Sequence, residues 1–598
     1  MTQPSDAPDN LSRRVLATSG AALLGSTLLA GAVAGGGALA QANPPSPVAP
    51  DVPPAGYNIL FVLVDEEHFF PKWPFPVPGR ESIKNKGVTF LNHQIASCVC
   101  SSARSVIYTG QHIQHTGVFD NLNSLWQPDM STRLRTIGDR LTELGYHAAY
   151  QGKWHLSANL DQVEKEIDAP IKEYRRIIES YGFKDFYGVG DLIDFDLGGY
   201  TYDDATASAA ISWLRTDAQA LRARGRPWFL AVNFVNPHDV MFVNSDLPDD
   251  VVQGRRHSMR IKPPPPDEIY RASWDVPLPS TRSQALKSPT RPVGQTIFQQ
   301  VMDEMVGQWP NEDRRWKLLQ DYYFNCIRDC DRQVERVLQS LKASGMEDNT
   351  IVVFSADHGE LGGHHQMRTK GTNAYRQQNH VPLLIHHPAY PGGKECAAIT
   401  SQLDLAPTII GFTGKDPASR ARAATGLRGR DFSGLLRNPE AAKPQTLRPA
   451  SLFNYDMLSY QDAAWAKKIF AFDAARKRST ADKIAFLEKN EPDFHNRIAI
   501  RSVWDGRYRF TRYFSPLQFN TPTTFEELVA KNDLEMYDLE NDPEEINNLA
   551  ADRARNAGLM LALNKVMNER LAEEVGDDNG GFLPIRNGKW YFPPASER

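Results

Sequence analysis

Asn58 to Val64 reads NILFVLV, an unbroken apolar run that stops at Asp65-Glu66. A short run of that kind suits a strand buried on both faces of a parallel sheet, where helices above and below exclude water. His147–Gln151, Trp228–Asn233, Thr350–Phe354 and Val381–His386 are similar runs. Helical stretches separate them, at Thr132–Leu144, Ala205–Arg222, Arg314–Ser344 and Gln402–Thr413. Strand and helix alternating over several hundred residues predict an α/β domain built on a mostly parallel sheet flanked by helices. Between about Arg255 and Pro292 the chain turns polar and Pro-rich, with Pro263–Pro266 consecutive, and reads as a long surface insertion. After about Pro439 the pattern changes. Ile498–Trp504, Tyr508–Tyr513 and Glu535–Leu539 alternate like antiparallel strands and a helix near Asn556–Glu574 follows, which predicts a smaller C-terminal α+β domain containing an antiparallel sheet.

The first forty residues stand apart from this pattern. Arg13-Arg14 precede an uncharged Ala/Gly/Leu-rich stretch that closes at Ala38-Leu39-Ala40. A positive start, a mildly apolar middle and a small-x-small end make residues 1–40 a cleavable signal of the twin-arginine type, and residues 41–56 a Pro-rich lead-in. The expected location is the periplasm or the exterior, with no stable membrane insertion after cleavage. Charge adds two exclusions. Lys and Arg number 67 against 72 Asp and Glu, for a net charge of −5, so the chain is neither a nucleic-acid binder working by bulk charge nor mostly disordered. Five cysteines in 598 residues exclude a disulfide scaffold.

Ligands of parallel sheets bind beyond the carboxyl ends of the strands. Two acidic clusters fall there: Asp65-Glu66, and Asp357-His358-Gly359-Glu360 after the run Thr350–Phe354. Side chains from two strand ends can converge on one divalent cation. Oxygen-rich ligation favours Ca²⁺ or Mg²⁺, and a His also tolerates Mn²⁺.

The segment Cys100-Ser101-Ser102-Ala103-Arg104, with Thr109-Gly110 after it, resembles the signature of the formylglycine-dependent sulfatases of the alkaline phosphatase superfamily. Five further blocks resemble that family in order: Gly152-Lys153-Trp154-His155, Asn236-Pro237-His238-Asp239, Lys370-Gly371-Thr372 with Tyr375, and the late Asp404–Thr408 and Met536–Leu549 segments. The resemblance runs from Asp65 to Leu549. It implies an alkaline-phosphatase-like catalytic domain over 57–440, with 441–598 as the C-terminal domain and tail. It implies that Cys100 is oxidised by a formylglycine-generating enzyme to an aldehyde whose hydrate is the nucleophile. It further implies Arg104, Lys153, His155, His238 and Lys370 as catalytic, with Lys153, His238 and Lys370 on the sulfate group. It also implies that Asp65, Glu66, Asp357, His358 and the modified Cys100 hold one divalent metal, Ca²⁺ before Mn²⁺ or Mg²⁺. Either His238 or His155 serves as general acid.

The chain departs from the family pattern at four places. Ser102 stands where most members have Pro, and Ala103 where they usually have Ser, so the state of Cys100, aldehyde or thiol, stays open. Glu66 replaces a second Asp, and His358 replaces the commoner Asn. An Asp-His pair also occurs in iduronate-type sulfatases and in phosphonate monoester hydrolases of the same fold, but the latter lack the pair that this chain keeps as Lys153 and His155. The expected activity is therefore hydrolysis of a small-molecule sulfate ester. Phosphonate monoester or phosphodiester hydrolysis is the alternative within enzymes, and silent anion binding the alternative outside them. His364 is a candidate at the substrate mouth, with Trp73, Phe75, Tyr455 and Tyr460 as aromatic candidates for the leaving group. Cys326 and Cys330 share a helix face and read as core. The aromatic tail from Gly580 to Pro594 is expected to dock on the body or on a partner subunit, and a homo-oligomer is left open.

Overall fold

The computed structural model describes residues 54–592 apart from 123, 158–170, 189–195, 256 and 476–478. The expected export signal and most of the Pro-rich lead-in lie outside these residues. The main sheet has seven strands: β1 (Asn58–Asp65), β2 (Val88–Gln94), β3 (His147–Gly152), β4 (Trp228–Pro237), β5 (Thr350–Ala356), β6 (Leu383–His386) and β7 (Lys394–Ser401). Their order is β3-β4-β1-β5-β6-β2-β7. β6 runs antiparallel to β5 and β2, and the remaining pairs are parallel.

β1 shows why the opening run is apolar throughout. Every one of its residues is buried. Leu60, Val62 and Val64 enter one core, with Trp213 and Leu214 of the helix Gly198–Arg215 and Val334 and Val337 of the helix Asp313–Ala343. Ile59, Phe61 and Leu63 enter the other, with Ile137 and Leu141 of the helix Ile137–Glu143 and Ile409 and Ile410 of the helix Leu405–Phe412. Successive side chains point to opposite faces, so a strand between two helical layers has no solvent side. Each such side chain removed from water contributes roughly 1.5–3 kcal/mol.

The second sheet is antiparallel, in the order β11-β10-β9-β8: β8 (Ser451–Tyr455), β9 (Ala499–Trp504), β10 (Tyr508–Phe514) and β11 (Asp533–Asp538). Its inner face (Leu452, Val503, Phe510, Met536) packs on Met560, Leu563, Met567 and Leu571 of the helix Arg553–Glu574. The Pro-rich insertion lies along the helix Asp313–Ala343. Tyr270 donates to Asp329 (2.9 Å), and the Trp274 backbone N–H and ring N–H donate to Asp321 and Asn325 (3.0 Å each).

Two differences from the sequence reading have local causes, and the tail takes one of its two expected places. The helix expected from Thr132 starts at Ile137, because the Thr136 hydroxyl accepts from Gly138 and Asp139 while Asp139 accepts back from Thr136. The stretch Ala205–Arg222 belongs to two helices, Gly198–Arg215 and Asp217–Ala223, parted at Thr216. The aromatic tail forms a hairpin, β12 (Ile585–Arg586) and β13 (Lys589–Trp590), and it docks on the body. There the Trp590 ring lies 5.3 Å from Trp126, 5.9 Å from Trp465 and 5.1 Å from Phe494. Among the described residues no helix is long and apolar enough to cross a membrane.

Candidate active site

Four adjacent parallel strands end level with one another. Asp65 of β1 is opposite Pro237 of β4, Val64 is opposite Ala356 of β5, and Gly152 of β3 is opposite Asn233 of β4. Each strand runs into a residue that the sequence marked: Lys153 after β3, His238 after β4, Asp65-Glu66 on β1, and Asp357-His358 after β5. The level at β3 needs Gly152. Its φ is +89°, and a Cβ there would lie 2.0 Å from the Asn233 carbonyl oxygen, to which Lys153 N–H donates (3.0 Å). Cys100 opens the fully buried helix Cys100–Thr109, whose amino end carries partial positive charge.

Arg104, one turn into that helix, is fully buried and ties the strand ends together. Its Nε donates to Asp357 Oδ2 (2.9 Å), and its Nη2 to Asp65 Oδ2 (3.2 Å). Its Nη1 donates to the Lys153 carbonyl (2.9 Å) and to Asn233 Oδ1 (3.3 Å). Lys153 Nζ also donates to Asp65 Oδ2 (2.6 Å). The Oδ2 atoms of both aspartates are thus held by cations, while their Oδ1 atoms face inward. Asp65 Oδ1 lies 3.6 Å from Cys100 Sγ and 3.7 Å from His358 Nε2, and Asp357 Oδ1 lies 3.7 Å from the same nitrogen. Cys100 Sγ is 3.1 Å from His358 Nε2. His358 Nδ1 is 3.2 Å from the Gly359 carbonyl, its acceptor, so the Nε2 lone pair faces the cluster. Asp65, Cys100, Asp357 and His358 therefore form one buried quartet whose donor atoms all lie within 4.8 Å of one another.

Glu66 lies outside this quartet, in an adjoining group that shares Asp65. The residue has φ +75°, and its backbone N–H donates to Asp357 Oδ1 (3.2 Å). Its carboxylate turns to a second cluster with Asp65 and His238. There Oε2 pairs closely with Lys370 Nζ and lies 3.0 Å from His238 Nδ1. Lys370 Nζ is itself 3.0 Å from His238 Nδ1. Glu66 Oε1 is buried with no hydrogen-bond partner among the described residues. The extra methylene of Glu lets the carboxylate reach the lysine, where an Asp would stop short.

The charges respond to this crowding. Burial, then the Asp65 charge beside it, pushes Asp357 up to about 7. Burial would also raise Asp65, but Lys153 and His238 hold it well below the usual range. Burial and Asp65 push the Cys100 thiol upward. His238 is lowered to about 3 by burial, Lys370 and Lys153, and His155, also buried, is lowered by burial and Lys153. Two abutting buried carboxylates and an inward imidazole lone pair form a cluster that a divalent cation fits.

His364 does not join this cluster. Its Nδ1 lies 3.0 Å from Gln377 Nε2, 3.4 Å from Thr281 Oγ1 and 3.6 Å from Glu544. Trp73 donates to Glu67 (3.4 Å), and Phe75 packs on Phe324 (4.8 Å). Tyr455 and Tyr460 flank the lysine block instead. The Tyr455 hydroxyl is 3.2 Å from Thr372 Oγ1, and Tyr460 packs edge-on against Phe298 (4.9 Å). Two supporting residues were missed. Asn233 accepts from both Arg104 and Tyr108 (2.6 Å), and Asp239 takes the N–H groups of Gly199 and Tyr200 (2.9 and 2.8 Å). An Asn inside the apolar run Trp228–Val235 was the available signal.

The fold carries a buried cluster of carboxylates, imidazole and thiol that could hold a cation, and comparison with known proteins gives the family. The sulfatase family model matches residues 58–415, so the chain belongs to the sulfatase family. An N-acetylglucosamine-6-O-sulfatase of Bacteroides thetaiotaomicron is 25% identical over 437 residues, 67% of this chain and 74% of the relative. A choline-sulfatase of Rhizobium meliloti is 25% identical, over 60% of this chain and 67% of its own. Among solved structures, a 2-O GAG sulfatase superposes with TM-score 0.59 at 18% identity, covering 87% of this chain and 92% of its own. A phosphonate monoester hydrolase from Silicibacter pomeroyi gives 0.59 at 17%, covering 87% and 96%. The expected fold, with its parallel sheet and separate antiparallel sheet, is the observed one.

Proposed function

We propose that this chain is an exported sulfatase that hydrolyses a small-molecule sulfate monoester to an alcohol and inorganic sulfate at the Cys100 cluster. The observation that carries the reading is the convergence of Cys100, Arg104, Lys153, His238 and Lys370 around Asp65, Asp357 and His358. The charge balance supports it. Asp65, Glu66 and Asp357 are offset by Arg104, Lys153 and Lys370, so a divalent cation leaves two positive charges. Those match one anionic nucleophile and one monoanionic ester.

When present, a cation held by Asp65, Asp357 and His358, and an aldehyde hydrate derived from Cys100 by a formylglycine-generating enzyme, supply the Lewis acid and the nucleophile. The chain's own residues do the rest. Arg104 fixes both aspartates so that their Oδ1 atoms face inward. Lys153 and Lys370 set positive charge where the ester's oxygens gather charge. Lys370 Nζ and the Glu66 and Asp65 carboxylates meet at His238 Nδ1 (3.0, 3.0 and 3.2 Å) and hold the ring in place. His238 is neutral without substrate, and an anionic ester beside it raises its pKa, which prepares it to protonate the leaving oxygen. The burial of every one of these groups keeps competing water away.

Turnover of paired aryl sulfate and aryl phosphonate monoesters tests the reading. Preference for the sulfate is expected. Clear preference for the phosphonate, which is also a monoanion and suits the Asp357-His358 pair, would replace it with the alternative activity.

A further inference from the structure

We infer that the unmodified chain carries a four-donor site for a zinc-class cation, with the Cys100 thiolate as a ligand, rather than a site for Ca²⁺. The donor count comes from the hydrogen bonds. Asp65 and Asp357 each commit Oδ2 to Arg104, and Asp65 also to Lys153, which leaves Oδ1 of each toward Cys100 and His358; Asp357 Oδ1 also accepts the Glu66 and His358 backbone N–H groups (3.2 and 2.9 Å), and Asp65 Oδ1 lies 3.2 Å from His238 Nδ1. His358 gives one nitrogen, Nε2, fixed by the bond between Nδ1 and the Gly359 carbonyl. Cys100 gives one sulfur. Glu66, which would raise the oxygen count, is turned to Lys370 and His238.

Two oxygens, one nitrogen and one sulfur are a poor match for Ca²⁺, which takes six to eight oxygen ligands. Thiolate and imidazole together suit Zn²⁺, which closes a tetrahedral shell with four donors of these kinds. The spacing is close to this shell. Donors about 2.0–2.3 Å from a tetrahedral centre stand roughly 3.3–3.7 Å apart. Of the six donor separations, Cys100 Sγ–Asp65 Oδ1, His358 Nε2–Asp65 Oδ1 and His358 Nε2–Asp357 Oδ1 are 3.6, 3.7 and 3.7 Å, Cys100 Sγ–His358 Nε2 is shorter at 3.1 Å, and the other two are within 4.8 Å. The outer layer is complete as well. Each carboxylate is anchored by a buried cation and the imidazole by a backbone carbonyl, the arrangement that orients metal ligands. As the metal–sulfur bond forms, the thiol proton passes to solvent and the sulfur binds as thiolate. The inference concerns the unmodified chain, so it depends neither on conversion of Cys100 nor on turnover.

The test uses the full mature chain, with the thiol state of Cys100 verified by the mass of its tryptic peptide and native metal stripped by a chelator. Native mass spectrometry with equimolar Zn²⁺ and a large molar excess of Ca²⁺ should show one Zn²⁺ per chain. The Co²⁺-loaded protein should show a thiolate-to-cobalt charge-transfer band that Cys100→Ser abolishes, and that variant should bind Zn²⁺ at least about tenfold more weakly. His358→Asn should shift the preference toward Ca²⁺, and Glu66→Gln should leave the Zn²⁺ stoichiometry unchanged. If the Cys100→Ser variant fails to fold, protection of Cys100 from alkylation by Zn²⁺, and not by Ca²⁺, gives the same answer in the unaltered chain. Ca²⁺ occupancy in the competition, a charge-transfer band that survives Cys100→Ser, or alkylation indifferent to Zn²⁺ would each overturn the inference.

Discussion

Arg104→Met keeps most of the side chain's volume and removes its charge. Asp357 then loses its only cation contact among the described residues, and Asp65 keeps Lys153 alone. The Lys153 carbonyl and Asn233 Oδ1 each lose a donor. Removing one partner of a buried ion pair costs about 3–5 kcal/mol, because the other charge stays buried and unpaired. Asp357 limits that loss by taking up a proton, and its pKa, already about 7, rises further without the guanidinium. The sign follows. A carboxyl raised in the folded state keeps a proton that the unfolded chain releases, so stability falls as pH rises from the unfolded pKa to the folded one, and the variant's higher folded pKa extends that fall above about 7. In chelator, urea unfolding of the variant should show a loss near 3 kcal/mol at about pH 6 and near 5 kcal/mol at about pH 9. A divalent cation should recover part of it. A loss below about 1 kcal/mol, or one independent of both pH and metal, would refute the claim that Arg104 holds the two carboxylates together.

Three other outcomes follow from particular contacts. Burial raises Asp239 to about 7, so it should lower stability as pH rises from about 4 to 7, by up to ~4 kcal/mol, and Asp239→Asn should remove that slope from urea midpoints measured across the range. Trp590→Ala should destabilise by about 3–5 kcal/mol if the hairpin's packing on Trp126, Trp465 and Phe494 is integral to the body, measured by urea unfolding; a change under about 1 kcal/mol would show the tail to be a loose appendage. Gly152→Ala places a Cβ against the Asn233 carbonyl and forces a left-handed residue, so it should lower stability by more than about 2 kcal/mol and depress kcat through displaced Lys153, which circular dichroism and aryl sulfate kinetics would read separately.

What the sequence made legible has a physical pattern. β1, β3, β4 and β5 stood out because strands buried on both faces need unbroken apolar runs. Their polar ends stood out because a parallel sheet puts its ligands there. β2, β7 and β8 did not. β2 and β7 mix polar residues into short runs, as in Leu91-Asn92-His93 and Lys394-Glu395, and β8 has only the five residues Ser451–Tyr455. Within the site, the motifs named the participants and left their pairing open. Whether Glu66 faces the quartet or Lys370 depends on one methylene and a positive φ, and neither shows in residue order. The separation of His364 from the cluster was hidden for a related reason. Proximity in sequence to Asp357-His358 is not proximity in space, because the chain turns through Gly362 and Gly363 at φ +54° and +97° and carries His364 to Thr281 and Gln377.

Cys100 is where the account is most exposed, since Ser102 stands in the place of the family's usual Pro. The most direct measurement takes one preparation, weighs the tryptic peptide Gly87–Arg104 and records aryl sulfate turnover. Turnover should rise in proportion to the aldehyde fraction across preparations and vanish in Cys100→Ala. Equal turnover from protein whose Cys100 is entirely thiol, or none from protein that is largely aldehyde, would contradict the proposed chemistry.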